Sequence, residues 1–482
     1  MCHLLSYGVD WNMVKAILGC PEELLKPLTE GGFSLLIKGQ AGTGKTTLTL
    51  EILNNLSKFG SVLYISTRIS PKFLYEKFPW IRSELPEGCI VDARVTRIPP
   101  DTPDNLIFKY IDELDIIRNI QKKIEERREG LVTIAIDSLD ALKINLRFQE
   151  QNFDLENTLV SLASKDKVNF ILVSEKSGNT ISDYIVDGIV TLTREIVNDC
   201  LIRKLYLEKI RGTEIENPVL LYTLKDARFT YFEGEPVSNP SKFTSPPLIT
   251  SEGKISTGIP NFDKLFSGGL KPEGSVHLLE VGKEVGSYYF WLMYPLIISL
   301  LRQGIPVVYV PSAGEAIKNT EVWISSFVDK GLYKQFMKFE EISRGVVEEF
   351  SVPKRSLEDA IGIIRRIIGS IDEIREITGS PVVALIISAD IVEYVYGVDL
   401  ASQILNYLTI YSKKENVMEF VIVKYGQSEI ITRLSHMTST HLVLENIGGI
   451  ILLRGKIPKT GMYVVTADTS KGYIDTNLVP IQ

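Results

Sequence analysis

Gly39-Gln40-Ala41-Gly42-Thr43-Gly44-Lys45-Thr46-Thr47 fits the phosphate-loop pattern G-x-x-x-x-G-K-[ST] at every fixed position. Its flanks agree with it. Phe33-Ser34-Leu35-Leu36-Ile37 is an apolar run suited to a buried strand. After the loop, Leu48, Leu50, Ile52, Leu53 and Leu56 make residues 47–56 read as a helix. Strand, glycine loop and helix in that order separate the motif from a chance glycine-rich turn. Glycines let backbone N–H groups curl around a phosphate without an intervening Cβ. The helix N-terminus adds partial positive charge. Lys45 is expected to reach the β- and γ-phosphates of a bound nucleotide, and the Thr46 hydroxyl to ligate Mg²⁺. The whole segment from Gly39 to Thr47 is therefore the candidate nucleotide site, with ATP and Mg²⁺ as the expected cofactors.

A second motif stands downstream. Leu131-Val132-Thr133-Ile134-Ala135-Ile136-Asp137 is a continuous apolar run ending in an acid. A strand buried on both faces of a parallel sheet reads this way. Its carboxyl end is where open α/β sheets place their ligands. Asp137 is the candidate for the acid that completes the Mg²⁺ shell with Thr46. Further strands are expected at Ser61-Val62-Leu63-Tyr64-Ile65-Ser66, at 89–95 and at Asn169-Phe170-Ile171-Leu172-Val173-Ser174. Edge strands are expected near 187–192, 205–209 and 219–224. The first 30 residues suggest a helical lead-in. A long helix is expected over 104–128, with a solvated face of mixed charge.

The chain has 482 residues and a net charge of −7, and 44% of its residues are hydrophobic. This length suits two or three domains with well-formed cores. The acidic balance disfavours a general DNA-binding surface. The four cysteines are dispersed, with no CxxC pair, which disfavours a zinc site or a disulfide framework. The N-terminus lacks a signal-peptide pattern. The most apolar stretch, 288–301, is short and interrupted by Pro295, so no membrane span is expected. A cytoplasmic protein is the expectation.

Residues 234–254 are rich in proline and serine and read as a linker. Beyond them the strand plan of the first half recurs at an offset of about 250 residues. The expected organisation is α/β: two tandem P-loop domains, 1–233 and 255–482, each a mostly parallel twisted sheet flanked by helices. The second has lost its chemistry. At Glu280-Val281-Gly282-Lys283-Glu284-Val285-Gly286-Ser287-Tyr288-Tyr289 no Gly-Lys-[Ser/Thr] follows the turn, and two glutamates stand where a polyphosphate would lie. The acid of the matching strand is shifted to Asp390 or absent.

These features resemble the RecA superfamily, in its KaiC and RadA-like branch. Ser256-Thr257-Gly258-Ile259-Pro260-Asn261-Phe262-Asp263-Lys264-Leu265 is similar to that family's domain-opening signature, and sits on the degenerate domain. Leu207-Glu208-Lys209-Ile210-Arg211-Gly212 resembles the KaiC-type K-x-R-G segment. The resemblance implies that Lys209 and Arg211 reach a neighbouring subunit's γ-phosphate, and hence a homo-oligomer between a dimer and a hexameric ring. The bland alternative is a charged hairpin. Ser174-Glu175 resembles the family's γ-phosphate-sensing pair. One departure concerns hydrolysis. Where such domains carry a water-polarising glutamate, this chain reads Ser66-Thr67-Arg68. Arginine cannot act as the base, but Arg68 can bind phosphate. Slow ATPase activity, or a nucleotide-bound switch, follows. The tandem plan and degenerate second half resemble the archaeal GvpD-like gas-vesicle regulators, implying a regulator that works through assembly or a protein partner. The alternatives are a RadA-like DNA-repair or recombination ATPase and an autophosphorylating kinase-type protein.

Overall fold

Strands that are apolar on every position have to be covered on both faces. Ser34–Gly39, Val168–Ser174 and Val383–Ser388 are buried along their whole lengths, and each is interior to a sheet. The computed structural model describes residues 12–94, 113–126, 130–145, 155–176, 178, 180, 182–236, 243–248, 253–272, 274–342, 356–424 and 428–481. They form two compact units, one comprising residues 16–233 with 481 and the other 234–480 with 12–15.

The strands of the first sheet are β1 (Asn12–Leu18), β2 (Ser34–Gly39), β3 (Gly60–Ser66), β4 (Ile90–Asp92), β5 (Leu131–Asp137), β6 (Val168–Ser174), β7 (Gly188–Val197), β8 (Cys200–Ile210), β9 (Val219–Thr223) and β10 (Thr230–Pro236). Their order is β1-β10-β9-β8-β7-β2-β6-β5-β3-β4. The second sheet holds β11 (Val276–Val281), β12 (Val307–Val310), β13 (Met337–Phe339), β14 (Val383–Ser388), β15 (Val417–Lys424), β16 (Thr440–Ile447), β17 (Ile450–Ile457), β18 (Met462–Asp468) and β19 (Asp475–Pro480). Its order is β13-β12-β14-β15-β11-β16-β17-β18-β19. Read in reverse, the second order matches the first strand for strand, β11 on β2, β14 on β5 and β16 on β7, with β1 alone lacking a counterpart among the described residues. In each, the central strands run parallel, and an antiparallel extension follows β7 or β16. The chain is thus two tandem RecA-like P-loop folds, each a mixed sheet flanked by helices.

Side chains alternate along each strand, so each sheet sorts its core by parity. Leu35 and Ile37 pack with the helices Glu22–Glu30 and Lys45–Leu56 on one face. Leu36 packs on the other with Ile116, Ile120, Leu155 and Leu159 from Glu113–Glu125 and Leu155–Asp166. In the second unit, Leu385 and Val421 meet Ile367 and Leu405 from the helices Leu357–Thr378 and Val398–Lys414. The first of these helices opens on a capping box between Ser356 and Asp359 and closes on Gly379 in the left-handed region, φ 68°.

Two local expectations change. Among the described residues of the lead-in, 12–18 form a strand rather than a helix, and Glu22–Glu30 is helical; residues 1–11 lie outside the described residues. A seven-residue segment with one non-local partner carries little periodic signal, and pairing across the chain decides its conformation. All three strands expected at an edge are interior: β7 pairs with β2 and β8, β8 with β7 and β9, and β9 with β8 and β10. The helix expected at 104–128 is present as Glu113–Glu125; residues 104–112 and 127–128 lie outside the described residues, as does Val95 of the strand expected at 89–95. Residues 243–248 of the proline-rich segment lie on the second unit, where Thr244 N–H donates to Gly472 O at 2.9 Å. No helix among the described residues is long and apolar enough to cross a membrane.

Candidate functional site

The phosphate loop leaves β2 at Gly39 and enters the helix Lys45–Leu56. Its conformation requires glycine. At Gly39 (φ 149°) a Cβ would lie 2.5 Å from Leu192 O, and at Gly44 (φ 95°) one would meet the Leu224 side chain at 2.7 Å. Lys45 is buried and folds back on the loop, its Nζ donating to Gly39 O at 2.6 Å and Gln40 O at 2.9 Å. Burial lowers the Lys45 pKa; Asp137 opposes that shift, and the Arg68 charge adds to it.

Asp137 ends β5 two strands away, and the register brings it to the loop. Its Oδ2 accepts from Thr46 Oγ1 at 2.5 Å and from Tyr64 Oη at 2.6 Å. Thr67 braces the strand ends: its N–H donates to Asp137 O at 2.9 Å, and its hydroxyl pairs with the Ser138 backbone. A hydroxyl and a carboxylate in mutual contact beside a phosphate nest fit Mg²⁺, which prefers one or two protein oxygens with phosphate and water supplying the rest. Among the described residues no group of three or more His, Cys, Asp or Glu could hold a metal by itself. Thr46→Ala should therefore raise the Mg²⁺ concentration needed for nucleotide binding by roughly tenfold while metal-free binding changes little; a Mg²⁺ titration of nucleotide affinity checks this.

The neighbouring strand ends supply the remaining predicted groups. Arg68, after β3, forms an ion pair with Glu175, after β6. Ser174 Oγ and Glu175 N–H both donate to Asp140 Oδ2, at 2.9 and 2.7 Å. So Lys45, Thr46, Asp137, Arg68 and Ser174 converge on one edge of the sheet. No acid directly follows β3 in the chain, and the Arg68 that stands there is tied to Glu175 from the end of β6.

Lys209 and Arg211 do not join this cluster within the chain. Lys209 pairs in register with Ile189, at the start of β7, whereas the loop lies past Leu192. Its Nζ donates to Val186 O at 2.6 Å and Asp183 O at 3.1 Å, and Arg211 pairs with Asp187 at 2.9 Å.

Five groups escaped the sequence reading. Tyr64 and Asp140 hold the predicted acid and serine. Arg203 Nη1 donates to Gly42 O at 2.9 Å, and the Tyr222 hydroxyl donates to Thr43 O. The Arg194 guanidinium lies over Gly42, 3.2 Å from where a Cβ would stand. An acid three residues after Asp137 was the available signal for Asp140. The others depend on strand register.

In the second unit the corresponding loop is a 3₁₀ turn, Lys283–Tyr289, broken at Gly286. Glu280 is engaged by Lys456 at 2.6 Å and His441 Nε2 at 3.1 Å; these partners hold its carboxyl low, at about 2. Asp390 does lie at the strand ends, on the helix after β14. It accepts from Ser312 Oγ at 2.5 Å and pairs with Lys424 at 3.3 Å. Lys424 also lies 5.4 Å from the centre of the Tyr289 ring. A lysine, an acid and an aromatic ring close this edge on themselves.

Residues 28–208 match the family model described as GvpD gas vesicle protein, P-loop domain. The first unit carries a P-loop NTPase domain homologous to the archaeal GvpD proteins. Protein GvpD2 of Halobacterium salinarum is 28% identical over 479 residues, spanning 93% of this chain and 94% of its own. Protein GvpD1 of the same organism is 31% identical over 293 residues, 58% of this chain and 54% of its own. Similarity to GvpD2 thus runs through both units. A P-loop domain of the GvpD type has the capacity to bind a nucleotide, and the contacts around Thr46 and Asp137 lie inside the matched segment.

Proposed function

We propose that this protein is a KaiC-like regulator whose first domain binds Mg·ATP and hydrolyses it slowly, and that nucleotide controls its assembly or its engagement of a protein partner. The observation that carries this reading is the contact of Thr46 with Asp137 beside a glycine nest, with Glu175, the acid that follows β6, paired to Arg68. The nest, Lys45 and Arg68 would bind the polyphosphate, and Thr46 and Asp137 would hold Mg²⁺. Ser174 would sense the γ-phosphate. With its carboxylate held by an arginine, Glu175 is a poor base for water, which supports slow turnover. The second domain, 255–482, would serve assembly or docking without a nucleotide, joined to 1–233 through 234–254. Kinship with proteins named for gas vesicles supports a regulatory partner in a cytoplasmic setting.

Lys209 and Arg211 would act in trans, as charge-stabilising fingers on a neighbour's nucleotide. Their position away from their own loop supports a role between subunits. Light scattering with and without MgATP, alongside turnover, tests the proposal. MgATP should drive association, and Arg211→Ala should lower assembly-dependent turnover at least about tenfold while leaving nucleotide affinity within about twofold. A protein that stays monomeric with MgATP rejects the finger role. Salt-sensitive, DNA-stimulated turnover would favour the recombination ATPase instead, and protein labelled by γ-labelled ATP the kinase.

A further inference from the structure

Arg194 and Arg203 face each other directly across β7 and β8. Like charges in that position repel at Cβ separations of about 4.5–5.5 Å, so the pair is stable where something negative is shared. Glu195, the acid adjacent in sequence, is taken by Lys204. Register places both arginines by the phosphate loop. Leu192 pairs with Gly39, so position 194 lies beyond the strand end and on the same face. The Arg194 guanidinium covers Gly42, and Arg203, only 8% exposed, donates to Gly42 O.

The carbonyl contacts have a directional consequence. In a trans peptide unit C=O and N–H point opposite ways. With Gly42 O held by Arg203, the N–H of Thr43 is turned away from β8. With Thr43 O held by Tyr222, the N–H of Gly44 is turned the same way. The Thr43 N–H donates to Gln40 O at 3.4 Å, a long contact that a phosphate oxygen would replace, and both amides are of the kind a phosphate nest uses.

We propose that β8 and β9 preset the phosphate nest through Arg203 and Tyr222, and that Arg194 is a further contact to the polyphosphate of a nucleoside triphosphate, supplied in cis. This rests on the phosphate-loop reading and adds a wall to it. Arg194 is the binding group; Arg203 and Tyr222 are positioning residues, since each acts through a loop carbonyl.

The test is a fluorescence titration of the full chain with a labelled non-hydrolysable ATP analogue in Mg²⁺, and competition by inorganic triphosphate. Arg194→Ala should weaken both at least about tenfold and make the salt dependence shallower, because a charge-assisted contact is lost. Arg194→Lys should recover part of the loss, and Lys58→Ala should bind like the parent. Tyr222→Phe should weaken binding about three- to tenfold with an unchanged melting temperature in the absence of nucleotide. Arg203→Lys, which keeps a donor, should bind more tightly than Arg203→Ala. Arg194→Ala at parental affinity, in a protein where Lys45→Ala no longer binds, overturns the wall and leaves the loop assignment standing. Parental affinity in Lys45→Ala overturns the loop assignment itself.

Discussion

Lys45→Ala should reduce affinity for Mg·ATP by at least about a hundredfold, close to 3 kcal/mol. The ammonium is the one cation built into the phosphate loop, and it is buried. It contacts Gly39 O and Gln40 O, so a bound polyphosphate would be within its reach after a small rotation about the side chain. Removing it leaves the negative charge of the nucleotide facing only backbone dipoles and the arginines Arg68 and Arg194. The nucleotide-free fold should survive, because the helix Lys45–Leu56 is anchored by Leu48, Leu50, Ile52, Leu53 and Leu56. Calorimetric titration beside a thermal melt separates the two effects. Lys45→Arg should fail to restore binding, since a planar guanidinium has neither the shape nor the point charge of an ammonium. Equal affinity in Lys45→Ala and the parent would remove 39–47 as the site.

The second large effect concerns stability. Glu419 on β15 is fully buried, and neither carboxylate oxygen finds a hydrogen-bond partner. Burial raises its pKa to about 8, with Thr409 and Ser412 of the helix Val398–Lys414 partly opposing the shift. A carboxyl raised in the folded state holds its proton there after the unfolded chain has lost it. Stability is therefore complete below the ordinary value of 4.5 and declines as pH rises from 4.5 to about 8. Glu315, also raised by burial, adds to that decline. His277 works on the other side. Burial lowers it to about 3, so stability falls as pH drops below its ordinary 6.5 and the unfolded chain takes up the proton. Glu280, held near 2 by His441 and Lys456, adds to the acid-side loss below 4.5. Between 4.5 and 6.5 the Glu419 and His277 slopes oppose each other, giving a plateau in the second unit. Glu419→Gln keeps the shape and cannot ionise. It should gain on the order of 3–5 kcal/mol over the parent at pH 8.5 and little at pH 4.5. Denaturant melts at the two pH values check this; an equal gain at both would show that the carboxylate is not the cause.

The loop and Asp137 were legible because each is a contiguous pattern: glycines and a lysine at fixed spacing, and an acid closing an apolar run. The tandem plan was legible because strand order repeats. What escaped is encoded in register. Nothing near Tyr64 announces that its hydroxyl will meet Asp137, 73 residues on. Arg194 and Arg203 carry no signal in the sequence until pairing places them by Gly42. The strand at Asn12–Leu18 escaped for the same reason, its place in the sheet being beside β10. The glutamate sought after Ser66 is missing from the segment, and the ion pair of Arg68 with Glu175 from another strand had no signal near Ser66.

The fold-back of Lys45 bears on what kind of device this domain can be. A buried ammonium with no partner would strongly penalise the empty state, and such a domain would hold its nucleotide as a permanent structural part. Here the loop's own carbonyls accept the charge. A phosphate would therefore compete with an internal partner for the ammonium, and that competition would lower affinity and favour exchange, as a gauge of nucleotide concentration requires and a fixed cofactor does not.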